Sequence, residues 1–444
     1  MRSRVALTLL VAVAVVAAAC SNNRASTSQT VTSAKVTSNG AWPGVGKICE
    51  SGPGGTSTAR GVSQGALHLA VFSDAGNSIQ PGLNVEFFQA ASAFSKWCNA
   101  SGGIDGRKIV VDDEDAALFN AAQVTSQACQ KDFMSVAGGM ALDQPSVSVR
   151  VGCGLGQINA FDVSSEAVDA KLQVNPTNTN DTEIEAGWYG ALATVYPSAI
   201  KHFGTGAQNN PSILAPANKW RDAAETQGYK VVDYQVPPLM VTDWTPYVEE
   251  AQSKGVQALE PSDDSNIAPF VQAMNTAGYS PTFMLLTTQF YASSTTQAAA
   301  SAHFPTTYVA IQNWPFELAS QSPGLEQMNA IMHKYAPGEP VDFDDENAFD
   351  SWVLFAKAAT SCGSDVTVAC VLQHAASQTN WTAGGLQAPV AHVGMSDAGP
   401  MPSDCFALMQ VEPGKFVYSR SITDPNSQIW HCGTNTLFHV PVNG

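Results

Sequence analysis

The sequence predicts an α/β protein built from two doubly wound lobes. Buried strands alternate with amphipathic helices along most of the 444 residues, and this alternation runs in two separate series. The composition agrees with this prediction, because 44% of the residues are hydrophobic and only 13% are charged. A chain of this length and apolar content can bury a substantial core in each of several domains.

The first series of elements begins with a buried strand. Residues 66–74 read ALHLAVFSD, a nearly continuous apolar run that is typical of a strand covered on both faces. Residues 83–100 then carry apolar side chains at helical spacing, among them Phe88 and Phe94. The same order recurs with a strand at 107–115 and a helix at 119–133, a strand at 135–139 and a helix at 145–154, and a strand at 157–161. Such units predict a parallel sheet with helices on both faces.

The second series predicts another doubly wound lobe. It contains helices at 182–196, 219–228, 247–255 and 266–278, and strands at 212–217, 230–236, 257–261 and 282–287. In open sheets of this kind, ligands bind beyond the carboxyl ends of the strands. The loops in which we expect a ligand site are therefore 73–80, 138–145, 160–165, 260–266 and 287–291.

The N-terminus has the pattern of an export signal. Arg2 and Arg4 precede an apolar run from Val5 to Val16, and small residues follow as far as Cys20. This run is shorter than the roughly 20 residues that a bilayer-spanning helix needs. The sequence Ala-Ala-Ala-Cys at 17–20 resembles the bacterial lipobox, in which the cysteine is acylated and becomes the first residue of the mature protein. We therefore predict a signal peptide at 1–19 and a lipid anchor at Cys20.

A tether is predicted to follow the anchor. Residues 20–58 are rich in Ser, Thr, Gly and Asn, which is typical of a flexible linker, although Trp42 and Cys49 suggest that its last part packs on the body. Removal of the signal peptide changes the net charge from −17 to −19. Nucleic-acid binders need a clustered basic surface. Because no run of Lys or Arg occurs in this sequence, binding to nucleic acid is excluded.

Eight of the nine cysteines remain after Cys20 is assigned to lipid. An even number in an exported protein indicates disulfides, and eight cysteines allow 105 pairings. Our hypothesis pairs Cys98 with Cys129, Cys362 with Cys370, Cys405 with Cys432, and Cys49 with Cys153. A zinc site is the alternative, but neither CxxC nor HxxxH spacing occurs, so we predict no metal.

Three segments resemble a known family. Residues 99–108 read NASGGIDGRK and are followed by Asp112 and Asp113, residues 61–70 read GVSQGALHLA, and residues 406–417 read FALMQVEPGKFV. In this order they resemble the type I periplasmic binding proteins of the branched-chain amino acid class. The resemblance covers about residues 60–420. It implies two Rossmann-like lobes joined by a three-crossover hinge.

The resemblance also implies where the lobes begin and end, and what the protein does. Lobe 1 would comprise 59–177 and 288–393, and lobe 2 would comprise 178–287 and 394–444, with crossovers near 175–178, 287–289 and 391–396. Proteins of this family are not enzymes. They close on a small molecule outside the cytoplasm, present it to an ABC permease, and work as monomers without a cofactor. A lipid anchor on the outer face of the cytoplasmic membrane suits this role, and an extracytoplasmic sensor with the same fold is the alternative.

The family holds its ligand with residues that follow the strands of both lobes. By position, the candidates in this chain are Asp74, Asn77, Met140, Ala141, Leu142, Phe161 and Ser164 in lobe 1, and Ser262, Asp263, Thr288, Gln289 and Tyr291 in lobe 2. Met140, Leu142 and Phe161 could instead pack in the core, and Asp264 and Ser265 could cap a helix. Gln289 stands where the family often has an acid for the ligand amine. An amide, a carboxylate or a polyol is therefore favoured over an α-amino acid.

Two patterns that could indicate catalysis or a metal are in the wrong context. Residues 61–65 match G-x-S-x-G, but a strand follows them where the nucleophile elbow requires a helix. The acidic groups at 112–115 and 342–346 lack the glycine and glutamate spacing of a calcium loop. We therefore predict no catalytic residue.

Overall fold

The computed structural model describes residues 39–177, 182–262, 266–396, 402–423, 429–433 and 437–440. The strands are β1 (Ala41–Trp42), β2 (Gly46–Lys47), β3 (Ala66–Ser73), β4 (Lys108–Asp115), β5 (Met134–Val136), β6 (Gly156–Ile158), β7 (Gln173–Val174), β8 (Glu183–Glu185), β9 (Phe203–Gly206), β10 (Val231–Gln235), β11 (Ala258–Leu259), β12 (Phe283–Leu286), β13 (Thr307–Ile311), β14 (Thr379–Trp381), β15 (Val390–His392), β16 (Cys405–Glu412), β17 (Lys415–Tyr418), β18 (His431–Cys432) and β19 (Leu437–His439). The helices are α1 (Glu86–Ala100), α2 (Ala121–Lys131), α3 (Gln144–Gly152), α4 (Ser165–Val168), α5 (Gly187–Val195), α6 (Pro211–Thr226), α7 (Thr245–Ser253), α8 (Ile267–Ala277), α9 (Ser293–Ser301), α10 (Pro323–Tyr335), α11 (Phe343–Cys362), α12 (Val368–Ala376) and α13 (Arg420–Thr423).

Two sheets form the centres of the two predicted lobes. The lobe 1 sheet is parallel throughout, with the strand order β4-β3-β5-β6-β7. In the lobe 2 sheet, β10-β9-β11-β12-β13 are parallel, and β16 and β17 extend it in antiparallel orientation. The α/β fold with two doubly wound lobes is therefore confirmed.

The boundary between the lobes differs from the predicted one. We expected the second crossover near 287–289, but β13 pairs with β12 on one side and with β16 on the other. Its five residues read TYVAI and are all buried, so they complete the lobe 2 sheet before the chain returns to lobe 1. The predicted boundary at 288 is wrong, and the crossover lies just after Ile311.

Lobe 1 packs around the long helix α11. A capping box starts this helix, since the Asp342 carboxylate accepts from the Asp344 amide and the Asp345 carboxylate accepts from the Asp342 amide. Trp352 of α11 stacks on Phe94 of α1 with ring centroids 5.4 Å apart, and both rings are fully buried. Stacked aromatic pairs of this kind contribute about 1 kcal/mol beyond the area that they bury.

The N-terminal part of the described chain belongs to lobe 1. Trp42 is 1% exposed, and its indole Nε1 donates to the Ala383 carbonyl at 2.7 Å. The Ser57 hydroxyl donates to the Val366 carbonyl at 2.7 Å. The segment from residue 39 onward is therefore part of the folded body. The prediction that the linker extends to residue 58 is wrong, because residues 39–58 already pack on lobe 1. The predicted signal peptide, Cys20 and the first part of the linker lie outside the described residues.

Two of the four predicted disulfides are confirmed and two are wrong. Cys362–Cys370 and Cys405–Cys432 form as expected. The remaining cysteines pair as Cys49–Cys98 and Cys129–Cys153, and not as Cys98–Cys129 and Cys49–Cys153. The reason is that the N-terminal segment packs on α1, which carries Cys98, while Cys129 lies on α2 and Cys153 directly follows the neighbouring helix α3.

One predicted strand is a helix. Residues 212–217 read SILAPA and lie within α6, which starts at Pro211 behind the N-cap Asn210. The Asn210 side chain accepts from the Ser212 amide at 2.9 Å. Proline suits the first helical position because the N–H that it lacks would have no partner within the helix.

Among the described residues, no helix is both long and apolar enough to cross a membrane.

Candidate functional site

The loops after the strands of both sheets lie where the lobes approach each other. Helix α4 follows β6 of lobe 1, and α6 follows β9 of lobe 2. The Lys219 ammonium of α6 donates to the Ser165 hydroxyl of α4 at 2.9 Å. Burial lowers the pKa of Lys219, while the nearby acids Asp169 and Glu166 act in the opposite direction. The two lobes are thus in direct polar contact at this rim.

Asp74 and Asn77 brace the lobe 1 loops from inside. Asp74 is fully buried, and its two carboxylate oxygens accept from the amides of Leu118 and Ala141, each at 2.7 Å. Burial raises the pKa of Asp74, and these two amides oppose the rise. The Asn77 side chain donates to the Asp74 carbonyl at 2.8 Å and accepts from the amide of Gln80 at 2.7 Å. Both predicted ligand residues therefore fix loop geometry through polar atoms that the backbone already occupies.

A second brace involves Asp162, which sequence reasoning missed. It is buried and accepts hydrogen bonds from three amide side chains: Asn159 at 2.5 Å, Gln173 at 3.0 Å and Asn175 at 2.5 Å. Arg150 lies beside it and donates to the carbonyls of Leu155, Lys171 and Leu172 and to Oε1 of Gln173. Burial lowers the pKa of Arg150 to about 10, and the Asp162 charge partly restores it. This network supports the loop that carries Phe161.

Asp143 connects this network to the start of α4. Its carboxylate accepts from the Val163 amide at 2.7 Å and from the Ser164 amide at 3.0 Å. Burial raises the pKa of Asp143 to about 7, and the neighbouring Asp162 charge adds to the rise. Burial likewise raises the pKa of Asp162, to about 6, against its hydrogen bonds and Arg150.

Because the pKa values of Asp143 and Asp162 are raised in the folded protein, we expect the free energy of unfolding to fall as the pH rises from about 4 to about 7. In that window the folded state holds protons that the unfolded chain has released, so the free energy of unfolding decreases with pH. From about pH 5 to pH 7.5 we expect a loss on the order of 4 kcal/mol, measured by urea denaturation. Asp143→Asn should flatten the profile, because that side chain no longer titrates. A stability that rises with pH in the parent protein would contradict the assignment.

The other predicted lobe 1 residues have mixed roles. Met140 and Leu142 are 5% and 8% exposed, and the Ala141 amide is engaged by Asp74. Ser164 caps α4 by accepting from the Ala167 amide at 3.2 Å. Phe161 alone among this group combines a large side chain with partial exposure.

Phe161 stands over the loop that follows β5. Its ring centroid lies 5.5 Å from that of Phe87, and a side chain at Gly139 would meet the Phe161 ring at 2.9 Å. A Cβ at position 139 would therefore crowd the Phe161 ring and force it or the loop to shift. Phe161 therefore packs on the lobe 1 core and keeps part of its surface exposed.

In lobe 2, two hydroxyls have no hydrogen-bond partner. The Oγ atom of Ser262 and the Oγ1 atom of Thr287 are both buried, and no donor or acceptor in the described part of the chain reaches them. Leu259 of β11 pairs with Met284 of β12, and each hydroxyl lies three residues beyond its member of that pair. The two side chains therefore follow neighbouring strands at the same level. Ser262 was predicted from the sequence, whereas Thr287 was missed although its loop was identified.

An acidic residue lies beside Ser262. Glu260 accepts from the hydroxyl of Tyr189 at 2.9 Å, and Tyr189 is fully buried. Burial raises the pKa of Tyr189 well above its ordinary value, and the Glu260 charge adds to the rise. The tyrosine therefore stays protonated and holds Glu260 in place at the end of β11.

Thr288 and Tyr291 make hydrogen bonds to the segment that connects lobe 2 with lobe 1. The Thr288 hydroxyl donates to the side-chain carbonyl of Asn313 at 3.3 Å, and the Tyr291 hydroxyl donates to Glu317 at 2.5 Å. Tyr291 is 2% exposed and also accepts from the Phe316 amide at 2.8 Å. Both contacts join lobe 2 to the segment that leads back to lobe 1. Gln289 between them is partly buried, and Asp263 lies outside the described residues.

Several solved structures share this fold at low sequence identity. A fatty acid ABC transporter substrate-binding protein from Thermomonospora curvata is 14% identical, with a TM-score of 0.66 over 84% of this chain and 95% of that one. A substrate-binding periplasmic protein from Ralstonia solanacearum is 13% identical, with a TM-score of 0.65 over 80% of this chain and 100% of that one. The branched-chain amino acid transporter substrate-binding protein of Streptococcus pneumoniae, solved with isoleucine, is 15% identical. Its TM-score is 0.61 over 80% of this chain and 99% of that one.

The sequence itself matches one family. Among curated protein sequences, none matches this chain. The profile of the family described as periplasmic binding protein matches residues 173–415, which is more than half of the chain. Together with the two-lobed fold, this match shows that the chain belongs to the periplasmic binding protein family and has its type I architecture.

Proposed function

We propose that the protein is the extracytoplasmic substrate-binding component of an ABC importer. In this role it captures a small solute between its lobes and delivers it to a permease. The observation that carries the proposal is the pair of hydroxyls, Ser262 and Thr287, that lie beyond adjacent strands of lobe 2 and find no partner among the described residues. A buried hydroxyl without a partner costs about 1 to 3 kcal/mol, so a ligand that supplies the missing hydrogen bonds gains affinity here.

The chemistry of these residues favours a ligand with a polar head and an apolar part. Each hydroxyl can both donate and accept, which suits an amide, a carboxylate or a polyol. Phe161 offers an apolar surface on the opposite lobe. The Tyr189 hydroxyl donates to the Glu260 carboxylate and fixes its position. A ligand ammonium group near Ser262 would therefore also find an acidic side chain in the same loop. Free amino acids therefore remain among the ligands to test.

The tethering part of the proposal rests on the N-terminal sequence. Acylation of Cys20 would anchor the protein on the outer face of the cytoplasmic membrane, and the segment before residue 39 would act as the tether. A protein held in this way stays close to its permease while its lobes open and close. The protein would act as a monomer without a cofactor.

The first experiment is a thermal-shift screen of the chain from residue 21 onward. The panel comprises branched-chain amino acids, short amides, short carboxylates, fatty acids and polyols. A ligand at 100 times its Kd should add about 2.7 kcal/mol to the free energy of unfolding. If no compound in the panel raises the Tm, the proposed solute-binding role is contradicted.

Substitution of the two hydroxyl residues tests the site itself. For Ser262→Ala and Thr287→Ala we expect a weaker affinity for the identified ligand, by about 3-fold to 10-fold each, because one hydrogen bond is lost. The stability of the ligand-free protein should not fall, since each change removes an unpaired buried hydroxyl. Isothermal titration calorimetry and urea denaturation measure the two quantities.

A matched control is Thr276→Ala, whose hydroxyl donates to the Gln272 carbonyl on the exposed side of α8. This change should leave the affinity unaltered. Equal affinities for Ser262→Ala, Thr287→Ala and the parent protein would show that the ligand binds elsewhere.

A further inference from the structure

A second cluster of polar side chains lies in lobe 1, away from the cleft loops. His68 is the third residue of β3, Asp112 is in the middle of β4, and Asp132 directly follows α2. One ligand atom from each residue lies within 4.8 Å of the other two. Ala70 pairs with Asp112 across β3 and β4, so His68 and Asp112 project from the same face of the sheet.

Asp132 is the unusual member of this cluster. It is fully buried, no donor in the described part of the chain reaches its carboxylate oxygens, and its carboxyl lies within hydrogen-bond reach of the Asp112 carboxylate. Its backbone is held in place, because Arg60 Nε donates to the Asp132 carbonyl at 2.7 Å. The side chain therefore faces Asp112 and His68 without a donor of its own. A buried carboxylate in this condition requires a proton or a cation.

The spacing of the cluster fits a small divalent ion. His68 Nδ1 lies 3.2 Å from Asp112 Oδ2. Ligand atoms at about 2.0 to 2.2 Å from a tetrahedral zinc ion are separated by about 3.4 Å, close to this distance. Imidazole and carboxylate are both ligands that zinc takes in proteins, whereas calcium and magnesium prefer oxygen ligands alone.

The ammonium of Lys131 is the cation already present beside the cluster. It contacts Asp112 Oδ1 at 3.3 Å and Glu114 Oε1 at 2.8 Å. The other oxygen of Asp112, Oδ2, is the one that faces His68. Lys131 thus neutralises one oxygen of Asp112, and the other oxygen is hydrogen-bonded to His68 Nδ1, a contact that a bound cation would replace.

We propose that His68 Nδ1, Asp112 and Asp132 form a binding site for a divalent transition-metal ion, of the zinc type. The ion would tie the end of α2 to β3 and β4, and water would complete its coordination. The cluster lies outside the loops that contain Ser262, Thr287 and Phe161. Its role is therefore to stabilise lobe 1, and solute binding does not require it.

The test uses the whole chain from residue 21, stripped with EDTA and dialysed. Titration calorimetry with zinc chloride should show one ion bound per chain, and zinc should raise the Tm. For Asp132→Asn and His68→Gln, we expect zinc affinity to fall by at least about 100-fold, since loss of even an outer-shell partner commonly lowers it 10- to 100-fold. Asp113→Asn, the adjacent residue of β4, is the matched control and should bind zinc like the parent protein.

Two further measurements separate a metal site from a shared proton. Lys131→Ala removes the competing ammonium and should tighten zinc binding at least severalfold. Cobalt should give visible absorption bands that His68→Gln abolishes. Absence of zinc binding by the folded parent protein would overturn the proposal, and an affinity unchanged in both Asp132→Asn and His68→Gln would do the same. Weaker binding in Lys131→Ala would show that the ligand set is wrong.

Discussion

Asp162→Ala is expected to lower the free energy of unfolding by about 4 kcal/mol, because it leaves a buried cation without its carboxylate. Arg150 is 2% exposed and lies beside Asp162. The change also orphans the amide groups of Asn159 and Asn175, which donate to that carboxylate. Urea denaturation at about pH 7.5, where Asp162 is ionised, measures the loss.

Two variants control this experiment. Asp162→Asn keeps an acceptor oxygen but not the charge, so it should lose less stability than Asp162→Ala. Asp169→Ala removes a neighbouring exposed aspartate at the end of α4 and should change the free energy of unfolding by no more than about 0.5 kcal/mol. If Asp162→Ala were as stable as Asp169→Ala, the network would not hold the loop as described.

Removal of the Cys49–Cys98 disulfide should have an effect of similar size. The two cysteines are 49 residues apart, and a closed loop of that length stabilises the fold by about 4 kcal/mol in the chain-entropy treatment. The double variant Cys49→Ser with Cys98→Ser should therefore unfold at a clearly lower urea concentration. Its N-terminal segment should also become sensitive to protease, since the bond ties this segment to α1.

The short bridge Cys362–Cys370 provides the comparison. Its separation is 8 residues, so its removal should cost only about 2.5 kcal/mol by the same treatment. Peptide mapping without reduction should recover Cys49 linked to Cys98 and Cys129 linked to Cys153. Recovery of Cys98 linked to Cys129 would contradict the structure.

The sequence was sufficient for the fold because the fold depends on periodicity. Alternating apolar runs and helical spacing identified most elements of both lobes, and the motif at 99–108 identified the family. The lobe boundary failed at β13, since a short strand near a crossover can pair with either sheet and its sequence does not say which. Residues 212–217 failed for another reason. Their apolar run is as compatible with a helix as with a strand, and the helix start at Asn210–Pro211 decides between them.

The candidate site was only partly predictable. Position after a strand selected Ser262, whose hydroxyl has no partner in the described part of the chain. The same rule also selected Asp74 and Ser164, which the folded chain uses to hold its own loops. Position alone cannot separate these uses, because the difference lies in which backbone amides come within reach after folding. The cluster of His68, Asp112 and Asp132 had no motif, since its members come from three separate elements.

The hydrogen bond between Trp42 and Ala383 spans 341 residues, and it has a consequence for how the chain acquires its structure. Lobe 1 needs both its first and its late segments, and the lobe 2 sheet needs β16, which starts at Cys405. Neither lobe can therefore be completed until nearly the whole chain is available. Such non-local contacts make folding slow, and they leave apolar surface of the incomplete lobes exposed to aggregation in the meantime.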